Sequence, residues 1–443
     1  MASQNAHQIN PKNPTRRTEH VKIEVGQLQR VLDTPVEAKQ WDRCSIYRVP
    51  PRVQEQNEKM YRTQMVSIGP YHHGQPHLKP MEEHKVRALR QFLERSGKTM
   101  DDLKQALRDD TSSLMDSYED LDAEWLDKDK FLELMILDAC FILEFVRSGS
   151  SSNSSGYSES DPVFGIYRSS RFKNLYLDIL KLENQIPFLV LEKLLTIENL
   201  ITTHAVEQFD IFLGDDLPKA HELYQGYKPM HLLDCARTKM IGRLSIRKLP
   251  KFCRLDTRSA SIYKKAGIVF KQNKTHTVSA IKLQNNVVEL AIKPVSLQRT
   301  IRANLQVYET LHCLGNLEIH SYFRFMGDLI RSAEDARLLG LIDSITDEGS
   351  TGILNLLEFI PDGIGFFVDE ESDLLAVVEQ LNKYHKESTE KWKRRFREWR
   401  LNLKETYFKS PWTVLSLFGA LLLLTLTIFQ TVLSALSYYN PSQ

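Results

Sequence analysis

From Pro411 to Gln443 the chain carries no charged side chain, and within that stretch Trp412 to Leu436 reads WTVLSLFGALLLLTLTIFQTVLSAL. At a rise of about 1.5 Å per residue this run makes a helix long enough to cross a hydrocarbon layer roughly 30 Å thick. A helix inside a soluble core is the alternative, but such helices seldom run this far without a charge. The pattern therefore predicts a transmembrane helix over 411–439, in contact with membrane lipids. Leu421, Leu424 and Phe429 fall in its apolar middle and Leu436 near its end; Trp412 sits at one interface, with Tyr438 and Tyr439 at the other.

The flanks give an orientation. Between Lys391 and Lys409 stand eight basic residues, among them Lys391, Arg394, Arg395, Arg397, Arg400 and Lys409, against only Glu398 and Glu405; SYYNPSQ beyond the span has no charge. Basic flanks stay on the cytoplasmic side. The polar opening MASQNAHQINPKNPTRRTEH offers no apolar export signal. We expect a cytosolic body on a single C-terminal anchor, at the plasma membrane rather than the endoplasmic reticulum.

What precedes the anchor has the composition of a folded protein, 42% apolar and 26% charged. Lys plus Arg number 58 against 57 Asp plus Glu, so no net basic field draws the chain to nucleic acid. The five cysteines are scattered, with no CxxC pair, and read as reduced thiols; Cys140, in FLELMILDACFILEF, reads as a buried one. Residues 1–40 are polar and read as a flexible arm, and 41–390 as one mainly helical domain. Met81, Ala88, Leu89, Phe92 and Leu93 repeat at helical spacing after Pro80. Phe131–Arg147 is apolar nearly all round but holds Glu133, Asp138 and Glu144, which marks a central buried helix and not a second span. The Ser-rich stretch 148–161 has too little apolar surface to fold and reads as a flexible insertion. Alternation on either side of QNN predicts a β-hairpin over 275–292, the one convincing sheet. The fold class is mainly α, with one small β-hairpin or sheet and the C-terminal transmembrane helix.

Candidate chemistry is sparse. SIGPYHHGQPHLKPMEEHKVRALRQFLER packs His72, His73, His77 and His84 beside Glu82 and Glu83. Gly74 and Pro76 separate His73 from His77, so the two cannot share a helical face as zinc-binding histidines do. His72, His77, Glu82 and Glu83 converging on a divalent ion in a loop is one reading. A tight loop, with Glu83 pairing Arg87 one turn on, is the simpler one. GKT at Gly97–Thr99 lacks the glycine and strand of a phosphate-binding loop. Glu183, Asn184 and Gln185 read as partners for backbone groups freed by Pro187, or as a polar ligand site. No catalytic, cofactor-binding or metal residues are expected. NSS at Asn153 and NKT at Asn273 are sequons in segments that read as exposed. Leu381, Tyr384, Trp392, Phe396, Trp399, Leu403 and Tyr407 form a stripe along a basic juxtamembrane helix over 391–409 and the turns before it. It packs on its own domain or pairs two copies into a homodimer.

IYRVPPRV, VSIGPYHHG, MEEHKVRALRQFL, LDACFILEF and KLENQIPFLVLEKL, with the ending YFKSPWTVLSLFGALLLLTLTIFQTVLSALSYY, closely resemble the flowering-plant family called domain of unknown function 247, or uncharacterised protein family 0481. The resemblance covers about Trp41 to Tyr439. It departs at IRANLQVYE, Ile301–Glu309, where relatives read close to FRNLIAFEQ. It implies a plant membrane protein and supplies no catalytic residues. Some grass members are associated with self-incompatibility loci as pollen-side determinants, which for those relatives implies recognition between pollen and pistil. The expected function is protein–protein recognition or signalling at a membrane with an unknown protein partner. An enzyme assembled from scattered residues such as His72, His77 and Glu82, and a passive tether or scaffold, are the alternatives.

Overall fold

A computed structural model describes residues 43–148, 156–165, 169–198, 228–242, 252–254, 256–275, 277–291, 299–313, 316–341, 367–369, 372–407 and 411–439. Packing divides the chain into Met1–Arg43 and Cys44–Gln443. The arm expected over 1–40 lies outside the described residues.

The body is built round helices. Lys79–Ser96 (α1) starts with Pro80 in its first turn and ends at Gly97, whose φ of 65° is the left-handed conformation that a helix C-terminus favours. Met100–Leu107 (α2) follows at once, capped by the Thr99 side chain and Asp102 in a reciprocal box. Gly97 and Thr99 of the GKT triplet are thus one helix's stop and the next one's start. Lys128–Arg147 (α3) opens on the Asp127 carboxylate, which accepts from Asp129 N and Lys130 N. It is buried nearly all round: Phe131, Met135, Ile136, Ala139, Cys140, Phe141 and Phe145 are each inaccessible to solvent. Against it pack α1, α2 and Phe188–Ile197 (α5); Ser169–Ile179 (α4) precedes α5. Leu232–Ile241 (α6), Arg299–His312 (α7) and Glu318–Leu329 (α8) pack on one another. Asp373–Tyr407 (α9) and Pro411–Tyr439 (α10) end the chain.

Strands are few. Phe252–Arg254 (β1) pairs antiparallel with Phe367–Asp369 (β5), a pairing the local sequence pattern does not announce. Val269–Gln272 (β2), Lys282–Gln284 (β3) and Val287–Leu290 (β4) form a three-stranded sheet in the order β2-β4-β3, with β2 parallel to β4. The expected hairpin over 275–292 is therefore real but shorter, spanning 282–290, because Val278–Ala280 close into a 3-10 turn. Its two-residue turn is Asn285-Asn286, at φ 47° and 65°, the positive pair that a type I′ hairpin turn needs and asparagine tolerates.

Three local expectations change. The far end of the Ser-rich stretch is fastened, with the Tyr157 ring stacked on Phe164 at 4.4 Å. Asp161 accepts from Val163 N and Phe164 N, each at 2.9 Å, and binds Arg87. Arg87 thus pairs across to Asp161 rather than along its own helix to Glu83, because the sheltered carboxylate holds a guanidinium better than an exposed one. Asn273, read as an exposed glycosylation acceptor, is 3% exposed and donates its Nδ2 to Thr277 O. Asn153 lies outside the described residues.

Candidate functional site

Between Arg62 and Gly69 the chain runs without a strand neighbour, and its backbone groups need partners elsewhere. Side chains distant in sequence supply them, two from helices and one, Asn184, from the turn between α4 and α5. The Asp178 carboxylate accepts from Gln64 N, Met65 N and Val66 N at 2.6 to 3.2 Å. Asn184 accepts from Ile68 N at 2.7 Å and donates to Val66 O at 3.1 Å; Asp138 accepts from Gly69 N at 2.7 Å. Gly69 sits at φ 74°, and a Cβ there would lie 2.4 Å from Gln185 O, so both conformation and space require glycine.

Lys85 closes this polar hub. It is fully buried on α1, four residues after Met81 and three before Ala88, in the middle of the apolar face. Its Nζ lies 2.6 Å from Asp138 Oδ1 and 2.9 Å from Glu82 Oε1, and donates to Ser67 Oγ at 3.1 Å. Three donors meet three acceptors, the condition on which a desolvated ammonium is tolerated. Burial raises the Asp138 pKa above the ordinary carboxylate range, and the Lys85 charge opposes that rise.

Glu183, Asn184 and Gln185 do not serve groups freed by Pro187. Glu183 accepts from Val49 N at 2.7 Å and its other oxygen lies 3.0 Å from His72 Nε2. Gln185 donates to Ile179 O and Lys181 O and accepts from Leu233 N. Ile301–Glu309 joins the same scheme. Asn304 accepts from Leu182 N and donates to Met60 O. Glu309 pairs with Arg237 at 2.9 Å and accepts from His320 N. Beside them Arg302, 1% exposed, lies 5.1 Å from the Phe323 ring centroid, and burial followed by the Arg299 charge lowers its pKa to about 10.

The histidine-rich loop is absorbed into this framework. His72 meets Glu183 and Gln75, His77 meets Thr63 O, and Glu82 meets Lys85 and Ser67. Among the described residues no group of three or more His, Cys, Asp or Glu side chains is placed to hold a metal ion. The hub spends its polar atoms on backbone and on its own members, which fixes a chain path. Lys85 was the member hardest to foresee, yet its signal is the helical period: it fills the gap between Met81 and Ala88 on the buried face.

His231 is a second buried group with a thermodynamic consequence. It caps α6, with Asp234 N donating to its Nδ1 at 3.2 Å, while Nε2 lies 3.0 Å from Ser45 O. This fits the neutral ring with the proton on Nε2. Burial pushes its pKa down from 6.5 to about 4. In the unfolded chain the ring returns to its ordinary value, so between these limits the unfolded state binds the extra proton. Stability complete above pH 6.5 is expected to fall with pH through this window, by about 3 kcal/mol once pH 4 is reached. Urea midpoints from pH 7 to 4 should therefore drop less steeply in His231→Asn, which keeps a cap but does not titrate; equal slopes would refute the assignment.

Apart from Lys409, the residues singled out for the membrane lie on the last two helices. On α10, Val414–Ala435 is an apolar stretch with a mean hydropathy of 2.0 and is not buried against any part of the chain. Leu421, Leu424 and Phe429 are exposed, as is Trp412 before it, and Leu436 lies in the helix beyond it. Lys391, Arg394, Arg395, Arg397 and Arg400 are exposed on α9; Lys409 lies outside the described residues.

A family model described as a plant protein of unknown function, DUF247, matches residues 46–426. A UPF0481 protein of Arabidopsis thaliana is 28% identical over 91% of this chain and 88% of its own length. A putative UPF0481 protein of the same plant is 27% identical over 44% of this chain and 36% of its own length. No solved structure matches.

Proposed function

We propose that this chain, which belongs to the DUF247 family of plant proteins, is a membrane-anchored recognition protein whose helical body meets a protein partner while α10 holds it in a bilayer. One observation carries the reading: Val414–Ala435 is apolar and not buried inside the body, a run far larger than the apolar patches soluble monomers leave in water. The basic residues before the span favour a cytosolic body, with the C-terminus across the membrane.

Recognition is favoured over catalysis because the ionisable groups that looked promising in sequence, His72, His77 and Glu82, are each engaged within the hub. Signalling between pollen and pistil, the association of some grass members of the family, is one setting for such a protein.

Proximity labelling in plant cells tests recognition against a passive tether. The full chain is compared with one whose residues 411–439 are replaced by an unrelated apolar span, and with residues 391–443 alone. Recognition by the body predicts one labelled set shared by the first two and lost from the third. The same set from the tail alone would leave a tether.

A further inference from the structure

The first turns of α9 belong to the body: Leu374, Leu375, Val377, Val378 and Leu381 are buried, and Tyr263 Oη donates to Asn382 Oδ1 at 2.8 Å. The contact ends near His385, whose ring meets Tyr263 at 6.3 Å. From Lys391 to Asn402 every residue is exposed. This departs from the first of the two readings of the stripe, in which all of it packs on its own domain. Trp392, Phe396 and Trp399 stand in water at 65%, 47% and 57% exposure, with ring centroids 5.4 and 5.7 Å apart along the helix. Leu403 continues the row, and at about 100° per residue the four side chains fall within roughly 60° of one another. Lys391 and Arg395 flank the row on one side, Lys393 and Arg400 on the other; Glu398 and Glu405 fall about 130° or more from it.

Charge decides what covers this face. Two copies anchored in one bilayer would pair in parallel, with 392, 396, 399 and 403 in the seam. Arg395 of each copy would then face Arg400 of the other on both sides, where coiled coils place opposite charges. An aromatic row edged by cations instead suits the boundary between lipid headgroups and acyl chains, where rings sink and Lys and Arg stems reach back to phosphate.

We propose that Trp392–Leu403 is a binding site for an anionic lipid surface, lying along the leaflet from which α10 enters the membrane. This rests on α10 being a span. Each cation held near an anionic surface adds to the attraction, and the row adds its buried area. A flat helix draws the body onto the membrane, whereas an upright one would hold it off by about 35 Å between Tyr384 and Tyr407.

The test uses the full chain in vesicles of phosphatidylcholine, with or without about one-third phosphatidylserine, carrying brominated acyl chains. The emission of Trp399 is isolated as the difference between the chain and its Trp399→Phe variant. The expected result is at least about two-fold quenching of Trp399 in anionic vesicles, weaker in neutral ones and weaker in Arg395→Glu/Arg397→Glu/Arg400→Glu. Unquenched Trp399 in integrated protein overturns the proposal. A disulfide between copies of Trp392→Cys would then assign the face to a second copy, and its absence to another protein. A chain that never co-floats with vesicles overturns the span itself.

Discussion

Asp138→Ala is expected to destabilise the folded body by about 3–5 kcal/mol, because it leaves the Lys85 ammonium buried with half its counter-charge gone. Glu82 remains as a partner but is partly solvated, with a side chain 27% exposed, and Gly69 N loses its acceptor as well. The cost arises from the stranded charge rather than from the pair's net worth. Lys85→Met/Asp138→Asn removes the charge and keeps an oxygen for Gly69 N, so it should recover a large part of the loss. Trp125, 1% exposed, is the reporter for urea unfolding of the detergent-solubilised chain. If the single variant unfolded at the same urea concentration as the parent, Lys85 would not depend on Asp138.

The proposed span carries the other large effect. Leu421 and Leu424 lie one turn apart near its centre, and an arginine at a helix centre costs about 2.5–3.5 kcal/mol to insert. Leu421→Arg/Leu424→Arg should therefore cost about 5–7 kcal/mol and abolish insertion. Translation in the presence of microsomes, with a glycosylation tag after Gln443, reads the outcome. The proposed orientation, with the C-terminus in the lumen, predicts that the parent chain is glycosylated on the tag and that the double variant is not. A parent glycosylated within the body and not on the tag would reverse the orientation drawn from the basic flank. A tag of this kind is needed because Asn273 spends its amide on Thr277 O below the surface.

Elements with a strong period were legible before any coordinates: α3 from its apolar run, α1 from its face and Pro80, α10 from composition alone. The hub was not. Asp178 reaches Met65 N across 113 positions and Asn184 reaches Ile68 N across 116, and no local pattern records bonds of that separation. Glu183, Asn184 and Gln185 were visible as an unusual polar triplet, but not the segments they hold. β2 joins β4 in parallel, a long-range pairing that alternation in the hairpin alone cannot signal. The stripe on α9 was visible as a row, yet its division into a buried start and an exposed remainder follows from where the body ends.

If α10 is embedded in lipid, the body depends on it for its place in the cell. Alkaline carbonate extraction of plant microsomes bearing the full chain tests this most directly, since it strips peripheral proteins and leaves spanning ones. An embedded α10 keeps the chain in the membrane pellet, and a chain ending at Tyr407 is released. Release of the full chain at high pH would contradict it.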